Sequence, residues 1–233
     1  MGQSFLQWNC IIPLRHDRDP RRAAAYRKLA VPLADEPPDA GQALTVRALD
    51  HDRPGRLAAA GRRIVFFPGS TIGNFTPPEA KEFLTNTAGQ IGPNGGLLIG
   101  VDLKKDPATL EAAYNDSQGV TAKFNRNLLT HINRIVGADF EPASFRHCAF
   151  YNESAGRIEM HLVSLRDQLV TVAGEQISFR QAESIHTENS YKFSIEEFQQ
   201  LGRDSGFRPE RAWTDAGNLF SVHYMTVADS LSA

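Results

Sequence analysis

The sequence predicts an α/β sheet interrupted by an α+β insertion, and three observations carry that expectation. An unbroken apolar run, Ile64 to Phe67, is followed by a helical pattern and then by a second apolar run, Leu97 to Leu103. Strand, helix and buried strand in that order imply a right-handed parallel crossover. After Leu103 the pattern turns to two helices and a series of short strands, and the strand and helix rhythm of the sheet returns only near Tyr191.

Residues 1 to 60 are the least regular part. Cys10 to Leu14 reads as a short strand, Arg21 to Ala30 as a helix, and Leu44 to Leu49 as an alternating strand that runs into Asp50 and His51. Ile64 to Phe67 reads as a strand covered on both faces. It ends at Pro68-Gly69, and after the turn GSTIGN comes Thr76-Pro77-Pro78-Glu79, the pattern of a capping box with proline at the first helical position. Ala80, Phe83, Leu84, Ala88 and Ile91 then recur at helical spacing until GPNGG stops the helix.

Asp106-Pro107 opens a helix through Tyr114, and Ala122 to Val136 forms a longer one with Phe124, Leu128, Ile132 and Ile135 on its apolar face. Strands follow at Phe145 to Asn152, Arg157 to Ser164 and Leu169 to Val172. A second capping box, Ser194 to Glu197, starts a helix with Phe198 and Leu201. Arg208 to Thr214 and Phe220 to Val227 are the last strands. The predicted division is a sheet unit at 1–103 and 192–233 and an insertion at 104–191. A ligand would sit between the two, because the crevice of an open α/β sheet lies at the carboxyl ends of its strands, where GSTIGN falls.

Composition narrows the function. The 233 residues carry a formal charge of −2, with lysine and arginine scattered, so no basic stripe for nucleic acid is evident. Two cysteines without CxxC spacing, and histidines without HxH or HExxH spacing, argue against a disulfide framework and a metal site. No apolar run has the length of a membrane span, and the N-terminus lacks a signal-peptide profile; a cytoplasmic location and a monomer are the expectation.

The segment PGSTIGN fits none of the common glycine motifs. It lacks the lysine of a P-loop, the Gly-x-Ser-x-Gly of a nucleophile elbow and the GxGxxG of a dinucleotide site. What remains is a strand-end turn whose glycines allow close backbone approach and whose Asn74 offers an acceptor and two donors. Such a turn suits a small ligand bearing a carboxylate or an amide. Equally, the glycines make a tight turn and Asn74 bonds its own backbone.

PGSTIGNF, GVDLKKDPATLEAAYND, GVTAKFNRNLLTHIN and IHTENSYKF, in this order over roughly residues 61 to 228, closely resemble the histidine-specific S-adenosylmethionine-dependent methyltransferases that make hercynine in ergothioneine biosynthesis. The resemblance implies a Rossmann-like class I methyltransferase domain with a substrate-binding insertion. It also implies transfer of methyl groups from S-adenosylmethionine to the α-amino group of L-histidine, giving the trimethylated product. By position, Gly69 and Asn74 match the substrate-contacting turn, with Asn74 at the amino-acid end of the ligand. Tyr114 matches a tyrosine that holds the carboxylate, Met160 a methionine lining the pocket, and Glu188 and Ser190 the pair that reads the imidazole.

The chemistry agrees with those roles. A neutral imidazole has one donor and one acceptor, which a carboxylate and a hydroxyl can satisfy together. Positioning of an amine against a sulfonium methyl can supply roughly 7 to 11 kcal/mol of the barrier, so no general base is assigned. Each residue also has a plain structural alternative: Tyr114 shares a face with Leu110, Met160 alternates with Ile158 and Leu162, and Glu188 reads as a loop charge.

The sequence departs from the family upstream of Ile64. No glycine-rich cofactor loop is recognisable there, so the chain is expected to enter the fold at its second strand, as a truncated or frame-shifted product. IIPLRHD would be that strand, with Arg15 where an acidic residue binds the ribose. Asp50 and His51 stand where the family contacts adenine, leaving a partial cofactor contact. The alternative function is a non-catalytic binding module that retains the histidine pocket.

Overall fold

The computed structural model describes residues 63–228. The readings made for Cys10 to Leu14, Arg15, Arg21 to Ala30, Leu44 to Leu49, Asp50 and His51 therefore lie outside the described residues.

Strand β1 (Ile64–Phe67) leads through a 3₁₀ turn (Thr71–Asn74) into helix α1 (Pro77–Ile91), and β2 (Gly96–Asp102) follows parallel to β1. The Glu79 carboxylate accepts hydrogen bonds from the Thr76 backbone N–H (2.9 Å) and hydroxyl (2.7 Å), which fixes the helix entry. Near the C-terminus, α4 (Ile195–Arg203) precedes β8 (Phe207–Thr214) and β9 (Phe220–Val227). The sheet order is β1-β2-β9-β8, and β9 runs antiparallel to both of its neighbours. Ile72, Leu84, Leu97, Ile99, Phe198 and Met225 are wholly buried together in one core. At about 1.5 to 3 kcal/mol for each large apolar side chain, this core holds α1 and α4 on the sheet. Contrary to the expectation for β1, Phe66 is 56% exposed: β1 is an edge strand among the described residues, and they do not cover both of its faces.

After Asp102 the chain leaves this sheet through α2 (Pro107–Tyr114) and α3 (Val120–Val136). It then forms the antiparallel strands β3 (Phe145–Asn152) and β4 (Arg157–Ser164), the ribbon β5 (Gln168–Val172) and β6 (Glu175–Phe179), and β7 (Ser184–Tyr191). Strands β3, β4 and β7 make a three-stranded sheet with β4 in the middle. Ala173 and Gly174 both take positive φ (50° and 87°), the backbone that a two-residue hairpin turn requires between β5 and β6. The chain returns beside its point of departure: the Phe193 N–H donates to the Asp102 carbonyl, the Lys104 N–H donates to the Phe193 carbonyl, and Leu103 bridges Phe193 in parallel.

Two sequence expectations fail here. The buried stripe of α3 is Thr121, Asn125 and Leu129, whereas Phe124 and Ile135 are exposed. The stripe turns because the buried Asn125 is hydrogen-bonded: its Nδ2 donates to His147 Nδ1 (2.9 Å) and to the His161 carbonyl (3.1 Å). Strands β6 and β7 were not anticipated at all.

Candidate functional site

The site forms where the end of β7 meets the turn after β1. Gly73 packs so closely on β7 that a Cβ there would lie 2.7 Å from the Tyr191 carbonyl oxygen and 3.6 Å from Ser190 Oγ. The turn thus lies against the strand that carries Glu188 and Ser190, and Asn74 follows half-buried. The Asn74 side chain makes no hydrogen bond within the described residues, so it does not bond its own backbone. Gly69 has a different place: it takes φ 72°, and its carbonyl sits where a Cβ on Gly100 of β2 would be at 2.3 Å. It shapes the turn on the β2 side rather than facing β7.

Helix α2 is tied to β3 by bonds that continue the sheet's own pattern. The Asn115 side chain donates to the Ala149 carbonyl (2.9 Å) and accepts from the Ala149 N–H (3.1 Å), and the Glu111 carboxylate accepts from the Tyr151 N–H (3.0 Å). His147 holds the end of the helix. Its Nε2 donates to the Tyr114 carbonyl (2.9 Å), while its Nδ1 accepts from Asn125. A carbonyl can only accept, which places the ring proton on Nε2.

Tyr114 so fixed reaches across to β7. Its hydroxyl donates to Ser190 Oγ (2.8 Å), and its ring packs beside Leu110, Ile158 and Met160. Cross-strand pairing sets Met160 opposite Glu188 and Ile158 opposite Ser190, so these four share one face of the sheet. A register shift between Met160 and His161 inserts Thr187 as an extra residue. Beyond it the phase of β7 changes: Ile185 faces the core and His186 turns outward.

Lys192 was missed by the sequence reading. Its side chain is fully buried, and its Nζ donates to Tyr114 OH (2.9 Å), Ser190 Oγ (2.8 Å) and Asp102 Oδ2 (2.7 Å). Asp102 also accepts from Lys105 (2.6 Å). Burial opposes the charge of Lys192, but Tyr114 and Asp102 outweigh it and its pKa stands above the usual lysine value. Burial pushes the Glu188 carboxyl up to about 7, against the opposing pull of Lys192. Its carboxylate has no hydrogen-bond partner among the described residues. The signals available in the sequence were the lysine two residues beyond Ser190 and the aspartate closing β2. Neither is distinguishable there from a surface charge.

The opposite face of the sheet groups Glu159, His161 and His186, whose candidate ligand atoms lie within 4.8 Å of one another. This grouping has no counterpart in sequence spacing. The histidine rings stack 4.6 Å apart at 11°, which keeps their lone pairs in two separate layers, and Glu159 is already paired with Arg157 (2.7 Å). An open groove of about 360 Å³ bordered by Asp116, Arg126, Arg146 and His147 lies elsewhere; Tyr114, Met160, Glu188 and Ser190 do not line it.

The sequence profile of the family described as histidine-specific methyltransferase, SAM-dependent, matches residues 40–227. The chain belongs to this histidine-specific methyltransferase family. It is 42% identical over 170 residues to the histidine N-alpha-methyltransferase of Mycolicibacterium smegmatis, covering 72% of this chain and 53% of that protein. It is 43% identical over 168 residues to the protein of the same name from Mycobacterium tuberculosis, covering 71% and 52% respectively. Ergothioneine biosynthesis protein 1 of Neurospora crassa matches at 35% over 167 residues, which is 70% of this chain and 18% of that protein. The chain spans about half the length of the first two relatives. At the turn after β1 the described residues present the exposed Phe66 and the Gly69 to Asn74 backbone. The residues that the resemblance sets around adenine, Asp50 and His51, are outside the described part. No helix among the described residues is long and apolar enough to cross a membrane.

Proposed function

We propose that this chain carries the histidine site of an L-histidine N-alpha-methyltransferase, with residues 104–191 as the substrate-binding unit and 1–103 with 192–233 as the methyltransferase unit. The observation that supports this reading is the convergence of Tyr114, Met160, Glu188 and Ser190 on one face beside the Gly73-Asn74 turn. Glu188 and Ser190 then take the two imidazole nitrogens, and Met160 lines the apolar side of the pocket. The resemblance sets Tyr114 on the carboxylate, but its one hydroxyl proton goes to Ser190 and its oxygen accepts from Lys192, so here Tyr114 is a wall of the pocket that orients Ser190. Asn74 lies at the amino-acid end with Gly69 shaping its turn. A site built on such buried polar pairs rejects analogues that lack them by on the order of 10⁴-fold.

S-adenosylmethionine, when bound, supplies an electrophilic sulfonium methyl. The chain's own contribution is to fix the histidine backbone so that the uncharged α-amine presents its lone pair, a positional effect worth roughly 7 to 11 kcal/mol. We take it to act on this small molecule as a cytoplasmic monomer. Calorimetry with L-histidine and with S-adenosylmethionine, followed by mass spectrometry of a mixture of the two, tests the proposal. Histidine binding and methylated histidine are the expected results. Histidine binding without cofactor binding or product would remove the enzyme and leave a binding module, and absence of histidine binding would refute the site.

A further inference from the structure

We propose that Lys192, anchored by Asp102, makes the Ser190 hydroxyl a donor only, so that the site accepts a ring presenting an unprotonated nitrogen and rejects one presenting N–H or C–H there. This inference rests on the reading of Glu188 and Ser190 as the pair that takes the imidazole.

The warrant is a count of protons and lone pairs. A serine oxygen has two lone pairs and one proton. Both lone pairs of Ser190 Oγ are in use, one accepting from Lys192 Nζ at 2.8 Å and the other from Tyr114 OH at 2.8 Å. The shared Tyr114–Ser190 proton belongs to the tyrosine because a phenol is the stronger acid, and because Lys192 also donates to the phenol oxygen at 2.9 Å. The Ser190 proton is then left for the pocket face that it shares with Glu188. The third Lys192 proton goes to Asp102 at 2.7 Å, so no Lys192 donor remains to rearrange.

The charged and titratable groups around this hydroxyl are Glu188 on β7, Lys192 directly after it, Tyr114 on α2, Asp102 at the end of β2, and Lys105, which pairs with Asp102. Glu188 is the acceptor for a ring N–H, and Ser190 the donor to a ring nitrogen. Together they fix one tautomer of the neutral imidazole. An imidazolium would set its second N–H against the Ser190 proton, beside the buried Lys192 charge. Lys192 and Asp102 are positioning residues in this scheme, since they act through Ser190 and Tyr114.

The test is a ratio of affinities measured by calorimetry at pH 8 on the full chain. L-Histidine is compared with pyrrolylalanine, which keeps the ring N–H and replaces the acceptor nitrogen by C–H. The native chain is expected to bind the pyrrole analogue at least tenfold more weakly. Lys192→Met frees a lone pair on Ser190 and lets its proton rotate to Tyr114, so the ratio should shrink to threefold or less while histidine itself still binds. Tyr114→Phe frees the other lone pair and should shift the ratio in the same direction, which keeps the proposal testable if Lys192→Met does not fold. A loss of fold or of general pocket shape would weaken both ligands alike and leave the ratio unchanged. A native ratio below threefold, or an unaltered ratio in the folded variants, overturns the role of Lys192 while the histidine site stands. Failure of the native chain to bind histidine overturns both.

Discussion

The acid stability of this protein should expose two groups, one buried and one half-buried, that titrate in opposition. His223 is fully buried on β9, and burial pushes its pKa down from 6.5 to about 4. In the unfolded chain it takes up a proton below pH 6.5, while the folded chain does not until about pH 4. Its contribution is therefore complete above pH 6.5 and is lost as the pH falls, by about 3 kcal/mol at about 1.4 kcal/mol per pH unit. Glu188 behaves in the reverse sense. Burial raises its pKa from 4.5 to about 7, so the folded chain holds a proton that the unfolded chain has released. That contribution is present below pH 4.5 and is lost as the pH rises through about 7. Solvent reaches the half-buried carboxyl, which reduces its share to about 2 kcal/mol.

Between pH 5 and 6.5 the two slopes oppose each other and largely cancel. Glu188→Gln removes one of them. Relative to the native chain, the variant should lose about 1 kcal/mol of stability for each pH unit from 6.5 down to 5, because the His223 slope is then uncompensated. Urea unfolding of both proteins at fixed ionic strength measures this directly, and groups common to the two cancel in the difference. Parallel stability curves for native chain and variant across that range would refute the opposed titration.

Three further outcomes follow from the packing. Gly73→Ala sets a methyl group 2.7 Å from the Tyr191 carbonyl, so it should cost about 1 to 3 kcal/mol in urea unfolding and weaken histidine binding by moving the turn off β7. Asn125→Leu leaves His147 Nδ1 and the His161 carbonyl without their donor, and thermal unfolding should report a loss of about 1 to 3 kcal/mol. Ser194→Ala removes the hydroxyl that accepts from the Glu197 N–H at 3.1 Å at the start of α4, a loss of about 1 kcal/mol that urea unfolding should detect without a change in ligand binding.

Wherever a local pattern and burial coincide, the sequence was legible. The apolar periodicity of α1, the Asp106-Pro107 start of α2 and the runs of β3, β4 and β9 all match the structure, because each buries one face that its own residues announce. Strand β7 was hidden for the opposite reason. Its inner face at Glu188 and Ser190 is polar, its phase changes at Thr187, and a strand without alternating apolar residues has no local signature. In α3 the helix itself was evident, but the buried stripe was displaced because Asn125 is satisfied by partners more than 20 residues away in sequence.

By itself the sequence determined the α/β class, the place of the turn after β1, and through its motifs the family and the residue types of the proposed site. Tertiary structure alone decided that Asp102 and Lys192, 90 positions apart, form a buried ion pair that grips Tyr114 and Ser190. It also decided that burial lifts Glu188 out of the ordinary carboxylate range. Hydrogen-bond polarity and desolvation depend on which groups fold brings together and on how much water it excludes, and neither is written in local spacing.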